Sequence, residues 1–546
     1  MSVHWWRNAV IYQVYPKSFL DTDDDGVGNI AGVTARLDHL AGLGVDAVWL
    51  SPFYPSPWAD GGYDVADYRD VDPMLGTLDD FDALVAAAQA RDIRVMIDIV
   101  PNHVSHRHPW FQQALAAPPG SAKRDRFVFR NGRGDGSEPP TNWLSRFGGP
   151  AWTRIADGQW YLHLYSPEQP DLDWHRPEVR DEFLDVLRFW ADRGVDGFRI
   201  DVAHALVKDL DEPLRDAVAL PLASAMDDIA AMPDHPHWDR PEVHEIYRDW
   251  RRLFEEYDPP RTAVAEAWLP SARRVRYTRP GELQQAFNFE FLYTPWDAQR
   301  LRTVITDSLA DAHEVGTVPT WVLSNHDVVR TVSRLGLPTG TDLQAWLRSD
   351  GHDPEPDLDL GTTRARAAAL LQLALPGSTY LYQGEELGLP EVADLPADAL
   401  QDPKFFRSDG AAKGRDGCRV PLPWDTSLPA YGFSSTSPWL PQPQHWADLS
   451  VATQTGNRDS VLELYRTAIR LRRELSLGDE LRWVDAEHPA TSLAFRRGSA
   501  MLVVTNFDGP PIELPEAEVL LTSGPLHGHK LPADTTVWLA AEGTGT

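Results

Sequence analysis

Short apolar runs rich in Val and Ile alternate with amphipathic segments along most of the chain. Such runs, bounded by turn residues, are typical of buried strands in a parallel sheet, and the segments between them are typical of covering helices. Eight runs qualify as strands: 9–15, 45–50, 93–100, 196–200, 262–265, 286–292, 320–323 and 379–382. The pattern therefore predicts a series of βα repeats.

The segments between these runs have helical periodicity. Thr77 is followed three residues later by Asp80, which predicts a capping box at a helix start. Apolar stripes with helical spacing follow at Leu78, Phe81, Leu84, Val85 and Ala88, and again at Val179, Phe183, Val186, Leu187 and Trp190. Eight strands with intervening helices predict an α/β protein with a (β/α)₈ barrel, and a doubly wound open sheet is the alternative.

Two stretches depart from this rhythm. Residues 104–175 follow the third strand and are too long for an unstructured loop, so they predict a small inserted domain B. After about residue 478 the pattern becomes strand-like, at 492–495, 501–506, 519–521 and 536–539. We therefore expect a barrel over 1–103 and 176–477, and an antiparallel β-sandwich domain over 478–546.

Composition narrows the function classes. The formal net charge of −30 would repel a phosphate backbone, which argues against nucleic-acid binding. The single cysteine permits no intrachain disulfide, and no apolar run reaches the roughly 18 residues of a membrane span. The N-terminus lacks the pattern of a signal peptide. We therefore expect a cytoplasmic protein without membrane contact, as a monomer or a homodimer.

Charged and polar residues cluster where predicted strands end. In a (β/α)₈ barrel the carboxyl ends of the strands carry the active site. One acid after a strand is more often a helix N-cap, but three acids with Arg and His at one barrel mouth indicate a functional site. The residues concerned are His103, Arg199, Asp201, Glu266, His326 and Asp327.

Paired carboxylates are the minimum equipment for glycoside hydrolysis, which needs no cofactor. Arg199 lies two positions before Asp201, on the same strand face, so we expect it to lower the pKa of Asp201 and keep that carboxylate ionised. Glu266 lies beside Ala265, Ala267 and Trp268, apolar neighbours that would favour its neutral, proton-donating form. These expectations make Asp201 the nucleophile and Glu266 the acid/base.

Seven segments give the chain a family resemblance over nearly its whole length. They are DIVPNH at 98–103, GFRIDV at 197–202, EAW at 266–268, SNHD at 324–327, GVDAVWLSP at 44–52, QPDLDW at 169–174 and GEELG at 384–388. Their order and spacing resemble glycoside hydrolase family 13, the α-amylase family, and especially its α-glucosidase and oligo-1,6-glucosidase branch. The resemblance implies a retaining enzyme that acts on small α-linked oligosaccharides.

The resemblance also implies roles for individual residues. Asp201 matches the nucleophile, Glu266 the acid/base and Asp327 the transition-state stabiliser. His103, Arg199 and His326 match residues that hold the innermost glucose. DGGYD at 60–64 matches the segment in which Asp60 and Tyr63 line that pocket, and Arg330 matches an arginine that pairs with Asp60 and the sugar.

An acidic segment after the first strand resembles a metal loop of the same branch. Asp21, Asp23 and Asp25 fit the opening of an EF-hand, but Gly32 stands where the bidentate Glu belongs. The resemblance implies a structural Ca²⁺ (or Mg²⁺) bound by these three carboxylates, with Val27 giving a backbone oxygen and Asn29 standing where the branch has an acid. The alternative is a solvated acidic turn.

The sequence leaves the reaction partly open. Val202 matches a position where Val accompanies α-1,6 cleavage, but the following Ala203 and His204 depart from that pattern, so both α-1,4 and α-1,6 linkages remain. A trehalose synthase or a sucrose-active enzyme would share the glucosyl intermediate and transfer it elsewhere than to water. A non-catalytic member of the family is the remaining alternative, although such members usually lack one of the three acids.

Overall fold

The computed structural model describes residues 4–218, 225–484 and 489–541, so the outer ends of the predicted barrel and C-terminal domains, 1–3 and 542–546, lie outside the described residues. The strands are β1 (Val10–Val14), β2 (Ala47–Leu50), β3 (Arg94–Ile99), β4 (Phe129–Asn131), β5 (Trp152–Arg154), β6 (Gln159–Leu162), β7 (Gly197–Ile200), β8 (Thr262–Ala265), β9 (Gln284–Ala286), β10 (Thr320–Val322), β11 (Ser378–Tyr382), β12 (Leu481–Trp483), β13 (Ser492–Arg497), β14 (Met501–Asn506), β15 (Ile512–Glu513), β16 (Val519–Thr522), β17 (Lys530–Leu531) and β18 (Thr535–Ala540).

The helices surround and extend this framework. They are α1 (Ile30–Ala35), α2 (Leu37–Leu43), α3 (Leu78–Gln89), α4 (Pro109–Ala116), α5 (Pro177–Asp192), α6 (Ala225–Ala231), α7 (Val243–Phe254), α8 (Ser271–Arg274), α9 (Phe289–Tyr293), α10 (Ala298–Glu314), α11 (Thr331–Gly336), α12 (Leu343–Arg348), α13 (Leu358–Ala374), α14 (Pro403–Arg407), α15 (Val451–Gln454) and α16 (Val461–Glu474). No helix of the described residues combines the length and apolar character that crossing a bilayer requires.

Eight parallel strands form the central sheet in the order β10-β11-β1-β2-β3-β7-β8-β9. A parallel bridge between Phe287 and Thr320 joins the two outer strands, so the sheet closes into a barrel. The predicted (β/α)₈ architecture is confirmed, and the open-sheet alternative is excluded. The register sets Asp98 directly beside Arg199, which places two charged side chains next to each other in neighbouring strands.

Most predicted elements lie where the pattern put them. The Thr77–Asp80 capping box is present with both of its hydrogen bonds, and the stripe of α5 is buried as predicted. The sixth predicted strand, 286–292, is wrong over most of its length. The strand ends at Ala286, and Asn288 then caps helix α9 by accepting a hydrogen bond from the Phe291 amide, so this apolar run is mainly helical.

Smaller sheets occupy the two stretches of sequence that depart from the βα repeat of the barrel. Between β3 and α5, strands β4, β6 and β5 form an antiparallel sheet. Near the C-terminus, β12-β13-β14-β18-β16 form a five-stranded antiparallel sheet, with β15 and β17 paired separately. Trp538 and Thr536 of β18 donate hydrogen bonds to carbonyls of Leu370 and Ala367, which fixes this sheet against α13.

Candidate active site

The predicted site residues meet at the carboxyl ends of the barrel strands. Asp201 follows β7 directly and Glu266 follows β8, while Asp327 lies in the turn after β10. Asp201 and Glu266 are 6% and 7% exposed, so protein excludes water from most of the surface of both side chains. Parallel strands bring their ends to one mouth, which is why residues far apart in sequence become neighbours.

Arg199 is the hub of this cluster. Its Nη1 lies 2.6 Å from Oδ1 of Asp201 and 2.8 Å from Oδ1 of Asp98, and its Nη2 lies 2.8 Å from Oε2 of Glu266. The side chain is buried against the rings of Trp49 and Tyr63. One guanidinium therefore clamps three carboxyl groups, and Asp98 is a member of the site that the predicted residue set did not contain.

The nucleophile candidate does not have the electrostatics predicted for it. Burial raises the pKa of Asp201 well above its usual range, and the negative charges of Glu266 and Asp98 raise it further, against the lowering effect of Arg199. The prediction of a lowered pKa is therefore wrong, because burial and two neighbouring acids outweigh one guanidinium. A hydrogen bond between Asp201 and Glu266 raises the pKa of Asp201 in the same direction.

Glu266 is surrounded by donors rather than by apolar groups alone. Its Oε1 accepts a hydrogen bond from the indole Nε1 of Trp268 at 2.8 Å. Its Oε2 accepts one from the backbone amide of Val202 at 2.9 Å and faces Arg199. Val202 has φ 46°, a left-handed conformation that β-branched residues rarely adopt. The expectation that Trp268 is an apolar neighbour of Glu266 is therefore wrong, because its indole N–H makes a polar contact with that carboxyl group.

A buried chain of hydrogen bonds runs along one wall. Gln13 Nε2 donates to Nδ1 of His326 at 2.6 Å, which leaves Nε2 of that ring to donate to the Tyr63 hydroxyl, also at 2.6 Å. Tyr63 in turn donates to Asp98 at 3.1 Å. Burial lowers the pKa of His326 well below its usual value, so the ring is neutral. The tautomer of His326 follows from this contact, because the Gln13 amide nitrogen can only donate and Nδ1 must therefore be the acceptor.

Asp327 belongs to a second charged cluster. Its Oδ1 lies 3.1 Å from Arg415 and 2.9 Å from Arg419. Burial alone would raise the pKa of Asp327. The guanidinium groups of Arg415, Arg419 and Arg199 together outweigh burial and hold that pKa well below its usual range. Asp327 is therefore a permanent negative charge, as stabilisation of a positively charged transition state requires.

Arg415 makes the contact that was predicted for Arg330. Its guanidinium bonds Asp60, Asp327 and Asp402 at once, at 2.5, 3.1 and 2.5 Å. Arg330 instead points away, and donates to the carbonyls of Gln383 and Cys418. The prediction that Arg330 pairs with Asp60 is therefore wrong. Arg415 lies in the loop that follows α14, and the predicted residue set did not contain it.

The inserted domain completes the site on another side. His103 is buried, its Nδ1 lies 3.1 Å from Asn102, and burial lowers its pKa to about 4. Lys208 Nζ bonds Asn102 at 2.7 Å and Asp171 at 2.9 Å, which ties the end of β3 to the inserted domain. The ring of Tyr165, another residue of that domain, lies 5.3 Å from His103. The sequence pattern did not single out Lys208 or Tyr165.

The acidic loop after β1 brings three of its five predicted ligands together. Carboxylate oxygens of Asp21, Asp23 and Asp25 lie within 4.8 Å of one another. The Asn29 carboxamide borders them: its oxygen caps α1 at the Gly32 amide, and its nitrogen donates to Asp23 at 2.9 Å. The ligand roles of Val27 and Asn29 stay predictions, while the three carboxylates are the hard oxygen ligands that suit Ca²⁺.

Comparison with known proteins places this geometry in context. The catalytic-domain model of α-amylase matches residues 13–479. A probable α-glucosidase of Rhizobium meliloti (strain 1021) is 43% identical over 492 residues, which are 86% of this chain and 82% of the relative. A trehalose-6-phosphate hydrolase of Escherichia coli (strain K12) is 35% identical over 92% of this chain and 91% of its own. The crystal structure of an α-glucosyl transfer enzyme superposes with a TM-score of 0.85 at 36% identity, over 99% of this chain and 100% of that one.

Proposed function

The chain belongs to the α-amylase family, glycoside hydrolase family 13, and from that membership we propose that it is a retaining α-glucosidase that removes terminal glucose from maltose and short malto- or isomalto-oligosaccharides. The name of the 43% identical relative supports the substrate class.

The observation that carries the retaining mechanism is the contact between Asp201 and Glu266. The two carboxyl groups hydrogen-bond each other and share the Arg199 guanidinium. Retaining enzymes hold their carboxyl groups about 5–5.5 Å apart, whereas inverting enzymes need roughly 6.5–9.5 Å for an intervening water. Groups in hydrogen-bond contact leave no space for that water, so direct attack by Asp201 is favoured.

Catalysis would proceed in two displacements. Glu266 donates its proton to the glycosidic oxygen while Asp201 attacks C1, and the bond to the leaving sugar breaks. Loss of that proton leaves Glu266 as a carboxylate, which then takes a proton from a water molecule. The water oxygen bonds to C1, the bond between C1 and Asp201 breaks, and glucose is released. Asp327 stays ionised throughout and stabilises the positive charge that develops on the sugar ring.

The walls of the site favour removal of one terminal glucose. Asp60 and Arg415 close one side through their ion pair, and Phe147 of the inserted domain packs 5.3 Å from the Arg415 guanidinium. Tyr165 covers His103 on the same side. A mouth covered by the inserted domain accepts a chain end more readily than the middle of a long polymer.

Product analysis tests the proposal. We expect the protein to convert maltose mainly to glucose, with α-configured glucose as the first product by NMR, and Asp201→Asn to lose at least about 10³-fold in kcat. Trehalose or longer glucosides as main products would instead support an α-glucosyl transferase, the activity named for the structural neighbour. Rates on maltose and isomaltose, compared in the same assay, decide the linkage; equal rates would show that Val202 carries no information about it.

For the acidic loop we propose a structural Ca²⁺. Asp21, Asp23 and Asp25 would hold the ion, with the Val27 carbonyl as a further oxygen ligand. The ion would neutralise three clustered carboxylates, whose repulsion helps to raise the pKa of Asp23 beyond the effect of its burial. Its role would be to fix the loop after β1.

A further inference from the structure

The acid/base carboxyl group has two unequal oxygens. Both lone-pair sites of Glu266 Oε2 are engaged, one by the Val202 amide at 2.9 Å and one by Arg199 Nη2 at 2.8 Å. Oε1 accepts a single hydrogen bond, from the indole of Trp268 at 2.8 Å. The one lone-pair site that no donor occupies is therefore on Oε1, and the hydrogen bond between Glu266 and Asp201 uses this oxygen.

The three donors cannot exchange roles with the carboxyl group. A backbone amide, a guanidinium and an indole N–H are all donors without an acceptor site, so none can receive the catalytic proton. A proton on Oε2 would have to displace the Val202 amide or Arg199. The strained left-handed backbone at Val202, which aims that amide at Oε2, makes the displacement more costly.

Trp268 is itself held rigidly. Its indole stacks on Phe289 with ring centroids 3.8 Å apart and planes 6° from parallel, and Phe289 is 1% exposed. Trp268 is only half-buried, whereas Glu266, which it contacts, is 7% exposed. The indole N–H is thus a fixed donor that determines the direction of the second lone pair on Oε1.

Resting on the proposed function, we infer that Oε1 of Glu266 carries the proton to the leaving group and that Trp268 is a positioning residue for this transfer. As the C1–O bond breaks, its electron pair goes to the glycosidic oxygen, which takes the proton from Oε1, while Asp201 forms the new bond to C1. The indole N–H then stabilises the carboxylate left on Glu266, with the strength of a charge-assisted hydrogen bond.

Leaving-group dependence distinguishes this role from a structural one. Maltose needs a proton on its leaving oxygen, whereas fluoride leaves α-glucosyl fluoride with little help from an acid. Trp268→Phe should therefore lower kcat/KM for maltose about 10- to 100-fold, the loss of one hydrogen bond to a charged group, and lower that for α-glucosyl fluoride less than about threefold. Because kcat/KM reports only steps up to the first irreversible one, hydrolysis of the glucosyl-enzyme does not enter the comparison.

Two further variants complete the experiment. Trp483→Phe removes an indole hydrogen bond of similar length, to Thr306 in a distant part of the molecule, and should leave both substrates unaffected. Phe289→Leu keeps the Trp268 N–H but weakens its support, and should give a smaller loss that is again confined to maltose. Equal losses on both substrates, or no loss on maltose, would overturn the role of Trp268. A wild-type protein inactive on both substrates would instead overturn the proposed function and the inference with it.

Discussion

Replacing Arg415 with Met tests how the pocket wall is held together. The substitution removes one guanidinium from Asp60, Asp327 and Asp402 and leaves a side chain that still fills much of the space. Asp402 is fully buried, and removing one partner of a buried ion pair costs more than the pair contributes, because the remaining charge is left without compensation.

The size of the expected stability loss follows from the pKa shifts of the carboxylates that Arg415 contacts. Burial would raise the pKa of Asp402, but Arg415, with smaller help from Arg419 and Lys404, lowers it from 3.8 to about 2. A shift of that size corresponds to about 2.5 kcal/mol, and Asp327 adds to it in the same direction. We therefore expect Arg415→Met to reduce the free energy of unfolding by about 3–5 kcal/mol at neutral pH.

The loss should depend on pH. A carboxylate whose pKa is lower in the folded than in the unfolded protein contributes fully above the unfolded pKa, and its contribution disappears as the pH falls towards the folded value. The difference in free energy of unfolding between wild type and Arg415→Met should thus have its full size above about pH 5 and decrease from about pH 4 downwards. Urea unfolding followed by tryptophan fluorescence, near pH 7 and near pH 3.5, measures it.

Arg407→Met is the matched control. Arg407 ends α14, near the same wall, but its guanidinium donates to the carbonyl of Gly148, so its loss should cost only about 1 kcal/mol without the same pH dependence. The explanation by uncompensated buried carboxylates would be refuted if Arg415→Met lost less than about 1 kcal/mol in free energy of unfolding, or lost the same amount at both pH values.

Three further predictions concern other parts of the site. Chelation should lower the melting temperature of the wild type by several degrees and that of Asp23→Asn by less, and equal shifts by differential scanning fluorimetry would contradict a metal at this loop. Lys208→Met leaves Asp171 buried without its cation, so we expect a loss of about 3 kcal/mol by urea unfolding and a higher KM for maltose; an unchanged KM would separate Lys208 from the sugar pocket. Tyr63→Phe removes the hydroxyl between His326 and Asp98 and should lower kcat/KM about tenfold or more, whereas an unchanged value would show that the hydrogen-bond chain does not support catalysis.

The positions of the acids could be read from the sequence because strand ends are marked by a change of pattern. Asp201 and Glu266 each follow an apolar run directly, and the barrel then brings them together. Their electrostatics could not be read in the same way. Whether burial or Arg199 dominates the pKa of Asp201 depends on how many carboxyl groups share that guanidinium, which only the register of β3 beside β7 reveals.

Loop residues were the least predictable part. Arg330 stands three residues after Asp327, but it is the N-cap position of α11 and its side chain is directed away from the pocket. Arg415 reaches Asp60 from a segment 355 positions later, in a loop without periodicity. The failure at 286–292 has a similar origin, since a short apolar run fits a helix as well as a strand until the capping by Asn288 is known.

The clamp formed by Arg199 has a consequence for how this active site can change over evolutionary time. Because one side chain bonds Asp98, Asp201 and Glu266, the effect of altering any one acid depends on which of the others is present. Double-mutant cycles among them should show strong coupling. Routes to new activities are therefore more accessible through loop residues that bond none of these charged groups than through the clamp, where substitutions must arrive together.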